Sequence, residues 1–302
     1  MPIDLPHPAF ASPQFGAATR EASAHMQVGP APTALPGSVG ARAADTVLPP
    51  RRVAASAASA QSQKFTECLA AAQTDPEVAM EGAAAWLATL KGPARAEAHR
   101  CIGVIASLSE DWTAAETAFL AARSAAATAD NAYRARMALL AANAALSRDG
   151  AGLSALSALD LAHSDAGTSL DAAFAGTVAA DRARALVSLE RLPEAKVALA
   201  EARAITPANP TAWLLSATLS RRMNELGAAQ AQIEQAAALL PIDPEIGLEA
   251  GVIAVLSGRD ASARRSWQSV IAAAPGTPIA ATAKAYIDQL GAPSASAAAA
   301  PR

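Results

Sequence analysis

Three consecutive stretches of 34 residues, 176–209, 210–243 and 244–277, repeat one order of small and bulky positions. A small residue stands at position 8 (Ala183, Ala217, Gly251) and another at position 20 (Ala195, Ala229, Ala263). A large residue follows at position 24 (Leu199, Ile233, Trp267) and a smaller one at 27 (Ala202, Ala236, Val270). Proline closes each stretch at position 32 (Pro207, Pro241, Pro275). Polar turns divide each stretch in two: Glu190-Arg191-Leu192-Pro193, Asn224-Glu225-Leu226-Gly227 and Gly258-Arg259-Asp260. The small residues let two antiparallel helices approach closely, and the residue at 24 fills the space beside them. Proline stops the second helix because it lacks an amide hydrogen and clashes with the preceding turn. A fixed period of this size marks stacked two-helix units.

The pattern resembles the tetratricopeptide repeat (TPR), which places small residues at 8, 20 and 27, a bulky one at 24 and proline at 32. Trp213 stands at position 4, where the family often has Trp, while Ala179 and Gly247 depart there. Position 11 departs too, reading Leu186, Ser220 and Ala254 where the family prefers Tyr. Upstream, Gly103, Ala115, Phe119 and Ala122 keep the spacing and define a unit at 96–129 with Trp112 in its turn. Ala155, Leu159 and Ala162 define another at 136–169, with Asp149-Gly150-Ala151-Gly152 as its turn and 130–148 as one long helix. A first unit falls at 62–95, broken at Asp75-Pro76, with Asp75 as helix N-cap and Pro76 in the first helical position. After the last unit, 278–290 reads as a capping helix with Ile279, Ala283, Tyr286, Ile287 and Leu290 on one face. The resemblance implies an all-α, right-handed superhelical solenoid of antiparallel helix pairs.

Composition narrows this further. The chain is 52% hydrophobic but only 4% aromatic, so alanine supplies most of the apolar surface. Alanine is the best helix former yet buries little area, so stability comes from adding interface to interface. A net charge of −3 argues against a general nucleic-acid binder. No run reaches the roughly 18 apolar residues of a membrane-spanning helix. Residues 1–61 carry 9 of the 20 prolines and no helical period, so they are expected to be disordered, as is the Pro/Ser/Ala tail 291–302. The opening Met1-Pro2-Ile3-Asp4-Leu5-Pro6 lacks the basic start and apolar core of a signal peptide. The expected location is therefore cytoplasmic. It becomes periplasmic if the start site is misassigned and the cysteines pair.

Candidate chemistry is sparse. His7, His25, His99 and His163 have no second ligand at metal spacing, and there is no nucleophile elbow or phosphate-binding glycine loop. A non-enzyme without cofactor or metal is expected. Cys68 and Cys101 are the only cysteines and fall on the first helices of the first two units. They are either a disulfide between stacked neighbours or two buried thiols, and the lack of an export signal favours the thiols.

The family's first helices line a concave groove at positions 2, 5, 9, 12 and 13. Carried across, these are Thr177, Ala180, Arg184, Val187 and Ser188; then Thr211, Leu214, Thr218, Arg221 and Arg222; then Glu245, Leu248, Val252, Val255 and Leu256. Arg100 and Arg148 take similar places upstream. The resemblance thus implies a partner-binding groove built on Arg148, Arg184, Leu214, Thr218, Arg221, Arg222, Leu248 and Val252, basic in its middle and apolar toward its end. Such a groove suits an extended or helical segment of another protein with acidic and apolar residues. The Lys and Asn set that clamps a chaperone C-terminus is missing. The leading expectation is a protein–protein interaction scaffold. The alternatives are a bacterial envelope assembly factor with a Cys68–Cys101 disulfide, and a regulatory subunit of a separate enzyme.

Overall fold

The computed structural model describes residues 51–167 and 171–291, which form thirteen α-helices and no strand. The described residues fall into two compact bodies, 51–147 and 148–291. The boundary between them lies inside the expected unit 136–169.

The first body holds α1 (Arg51–Thr74), α2 (Pro76–Ala88), α3 (Arg95–Leu108), α4 (Trp112–Ala125) and α5 (Asn131–Leu146). The first helix starts at Arg51, inside the stretch 1–61 that was expected to be disordered. Residues 51–61 hold no proline and are rich in alanine, which suffices to extend the helix. The rest of that stretch, 1–50, lies outside the described residues, as does the tail beyond Gly291. Asp75 caps α2 by accepting from the amides of Glu77 and Val78 at 3.1 and 3.2 Å, with Pro76 opening the helix. Phe65, Ala72, Ala79, Ala83, Cys101 and Ile105 form the core between α1, α2 and α3. Cys68 and Cys101 are linked by a disulfide across α1 and α3, Cα–Cα 6.3 Å, rather than standing as separate thiols.

The second body holds α6 (Gly152–Ala166), α7 (Ala172–Ser188), α8 (Leu192–Ile205), α9 (Pro210–Arg222), α10 (Leu226–Leu239), α11 (Pro244–Leu256), α12 (Asp260–Ala273) and α13 (Pro278–Gln289). Here α7 pairs with α8, α9 with α10 and α11 with α12, while α13 covers α12. Asn209, Asp243 and Thr277 cap α9, α11 and α13 with their side chains, each followed by a proline as the first helical residue. Proline fits there because the first amide has no helical partner. Each helix pair is also turned by one residue in the left-handed region: Glu190 (φ 57°), Asn224 (φ 59°) and Gly258 (φ 71°), with Glu110 (φ 58°) and Gly150 (φ 74°) upstream. The chain then closes back on the first helix, as when the Arg191 amide donates to the Leu186 carbonyl at 2.9 Å.

Positions 8 and 24 face each other, and their sizes compensate. A Cβ on Gly103 would lie 2.6 Å from a ring carbon of Phe119, and one on Gly251 within 2.5 Å of the Trp267 indole. Where the residue at 24 is the smaller Leu199 or Ile233, the residue at 8 is Ala183 or Ala217. Trp267 is fully buried, donates its Nε1–H to the Leu248 carbonyl at 3.1 Å and meets the Tyr286 ring of α13 at 5.1 Å between centroids. Ala283 and Tyr286 complete this cluster, with Ile279, Ile287 and Leu290 packed against it. Thus α13 shields a face that would otherwise expose the last pair's core.

Candidate partner-binding face

The first helices of the second body, α7, α9 and α11, carry seven of the eight groove residues expected from the sequence, and Arg148 lies in the turn before α6. Five of the eight are buried. Leu214 packs with Ala217, Ile233, Ile246 and Ile253, while Leu248 and Val252 belong to the Trp267 cluster. Thr218 is fully buried and donates its hydroxyl to the Leu214 carbonyl at 3.2 Å. Arg221 is buried against Glu249 of α11, through Nε to Oε1 at 2.6 Å and Nη2 to Oε2 at 3.2 Å. These five hold helices together and are not available to a partner, which corrects the expectation of an open groove floor. The neighbouring helices cover these positions: α10 and α11 cover Leu214, α12 and α13 cover Leu248 and Val252, and Glu249 of α11 covers Arg221.

Arg184, Arg222 and Arg148 remain half-buried. Arg222 sits 3.5 Å from the exposed Glu190. Arg184 donates to Asp181 one turn earlier on α7 at 2.9 Å, and its Nε is buried with no hydrogen-bond partner among the described residues. Asp181 is buried, and burial raises its carboxyl above the usual range against the opposing pull of Arg184. Glu245 on α11 is also raised, by the protein around it and then by Asp243, while Arg184 pulls it back down. Arg184 and Glu245 stand on α7 and α11, two units apart, and Glu245 still feels the charge of Arg184. Thr177, Thr211 and Glu245, all at repeat position 2, are exposed, as are Ser188 and Leu256 at position 13. The exposed positions of the first helices are therefore mostly polar, with Leu256 as the apolar exception.

The first body repeats the theme. Arg100 pairs with Glu97 at 3.2 Å on α3, and its guanidinium lies 3.9 Å over the Phe65 ring of α1. Burial raises Glu97 against the pull of Arg100, and burial with the neighbouring Glu97 raises the Tyr133 hydroxyl. An acid three residues before an arginine, as in Glu97/Arg100 and Asp181/Arg184, is a pairing signal readable in sequence. The partner of Arg221 stands 28 residues away and leaves no local signal.

No protein-family model matches the chain, and no curated protein is similar to it in sequence. Solved structures do match. PilW, described as a widely conserved type IV pilus biogenesis factor, aligns at 15% identity and TM-score 0.59 over 74% of this chain and 97% of PilW. PilF of Pseudomonas aeruginosa aligns at 16% and 0.56 over 76% and 99%. A thermophilic TPR protein of Thermus thermophilus aligns at 18% and 0.50 over 64% and 97%. The chain has the tetratricopeptide-repeat fold. In TPR terms, the buried Arg221–Glu249 pair joins the first helices of two successive repeats, and the exposed rim residues sit at repeat positions 2 and 13. Among the described residues no helix is long and apolar enough to cross a membrane, and no three His, Cys, Asp or Glu are grouped to hold a metal ion.

Proposed function

We propose that this protein is a non-catalytic interaction scaffold that holds an acidic or carbonyl-rich segment of another protein on the first-helix face of its second body. The observation that carries this reading is Arg184. Its guanidinium is fixed by Asp181 and keeps a buried Nε–H without an acceptor. A buried donor left unpaired costs about 1–3 kcal/mol, so an incoming carboxylate or peptide carbonyl recovers stability on binding. Thr177 and Thr211, exposed at repeat position 2 of α7 and α9, offer further hydroxyls on the first helices. The test places a photo-crosslinking residue at Thr211, or at Val197 on the exposed side of α8, in cells that make the protein. A partner captured from Thr211 and not from Val197, and lost with Arg184→Glu, supports the face. A partner captured only from Val197 overturns it.

A second reading is favoured by the disulfide. The Cys68–Cys101 bond suits an oxidising compartment. PilW, a fold neighbour, is named as a pilus biogenesis factor. In this reading the scaffold serves assembly in a bacterial envelope. Thiol titration of denatured protein taken directly from its native cells decides it, and two free thiols remove the idea.

A further inference from the structure

An open cleft of about 370 Å³ lies in the first body, where the start of α2 meets the end of α3. It is lined by Pro76, Glu77, Met80, Glu81, Ile105 and Ser109. We propose that this cleft docks a segment of another protein in which an aliphatic side chain is flanked by lysine or arginine. The occupant follows from the lining. Met80 and Ile105 supply an apolar floor, and Met is suited to moulding around varied aliphatic groups. Two carboxylates stand on one rim, Glu77 and Glu81, one helical turn apart on α2. Both are exposed, and neither forms an ion pair among the described residues. Glu77 lies in the first turn of α2, where the helix N-terminus stabilises an acid. Glu81 lies in the second turn, beyond that effect, and repels Glu77 across the turn. Glu110, exposed and next in the chain to Ser109, adds a third carboxylate beside the opposite rim. No lysine or arginine lines the cleft. The result is an apolar slot under a negative rim, complementary to a basic and aliphatic ligand. The volume is within the roughly 300–1,000 Å³ of ordinary ligand clefts. This surface differs from the Arg184 face in both place and charge preference, so the proposal stands or falls independently of it.

The experiment uses the full chain with methyl-labelled methionine, of which there are five, and assigns Met80 through Met80→Leu. The probe is a short synthetic peptide alternating lysine and leucine. Two control peptides replace lysine by glutamate, or leucine by serine. Saturable movement of the Met80 methyl with the lysine–leucine peptide is expected, with at least about tenfold weaker binding in Glu77→Gln/Glu81→Gln, which keeps side-chain size and helical fold. A Met80 signal that stays fixed overturns the proposal, including the case where Met223 of the other body moves instead. Equal binding of the lysine–serine peptide also overturns it, because attraction then needs no slot. Equal binding of the glutamate–leucine peptide does the same, because the rim then selects nothing.

Discussion

Arg221 and Glu249 face each other across α9 and α11 as a two-point ion pair, with side chains only 4% and 1% exposed. Burial at this depth removes both charges from water, so the pair is stable only while both partners are present. Arg221→Met alone is expected to lower stability by about 3–5 kcal/mol, because Glu249 is left buried and unpaired. Arg221→Met with Glu249→Leu is expected to recover most of that loss, since apolar residues of similar volume replace a buried pair at little cost. Chemical denaturation of the three variants beside the parent measures both. A single variant that unfolds like the parent shows that water reaches the pair.

The same pair shows where sequence reading reaches its limit. The period, the helix pairs and the capping residues of α13 are visible because each rests on local spacing, and Asp75 at its cap rests on local chemistry. Arg221 at position 12 looks like a groove cation by register alone. Whether it faces solvent depends on how closely α9 and α11 approach, which is set by packing 28 residues apart. Leu214, Leu248 and Val252 were also placed in an open groove by register, and the helices beside them bury them: α10 and α11 for Leu214, α12 and α13 for the other two. Asn209, Asp243 and Thr277 with their following prolines cap their helices just as Asp75 and Pro76 do, and only the Asp75 cap was read from the sequence.

The compensation between positions 8 and 24 gives a second prediction. Gly251→Ala drives a methyl into the Trp267 ring, which is fully buried and held by the Leu248 carbonyl. Overpacking of this kind costs about 1–3 kcal/mol, against a gain of up to about 1 kcal/mol in helix propensity. Net destabilisation is expected for Gly251→Ala in the parent. In a Trp267→Leu background, which reproduces the Ala183–Leu199 arrangement, the same change is expected to stabilise. A double-mutant cycle by thermal unfolding reads the sign change. A cycle with no coupling means that the indole can shift aside.

Asp181 sets a pH dependence. Its folded carboxyl titrates above its ordinary 3.8 because it is buried, with Arg184 opposing. The folded protein therefore binds more protons than the unfolded chain as pH rises from 3.8 toward the folded value. Over that window this group makes stability fall as pH rises, the reverse of an exposed, ion-paired carboxylate. Asp181→Asn is expected to flatten the fall, and the readout is the slope of stability against pH, not its level. An unchanged slope means that Arg184 holds the carboxylate ionised throughout.

The disulfide supplies the last prediction. Cys68 and Cys101 are 33 residues apart, and a bond closing a loop of that length removes unfolded-state entropy worth about 3–4 kcal/mol. The gain falls on the first body, where α1 is otherwise held by Phe65 and Ala72 in a small core and by the contact of Arg100 with Phe65. Alanine-rich helices bury little area per residue, so losing the bond should be felt first in α1. Reduction, or Cys68→Ser with Cys101→Ser, is expected to speed amide exchange through α1 and α3 while α9 to α13 of the second body keep their protection. Hydrogen exchange read by mass spectrometry separates the two bodies directly. If α1 exchanges equally slowly with and without the bond, the bond adds nothing to the free energy of opening that helix, and apolar packing with the Arg100–Phe65 contact holds it unaided.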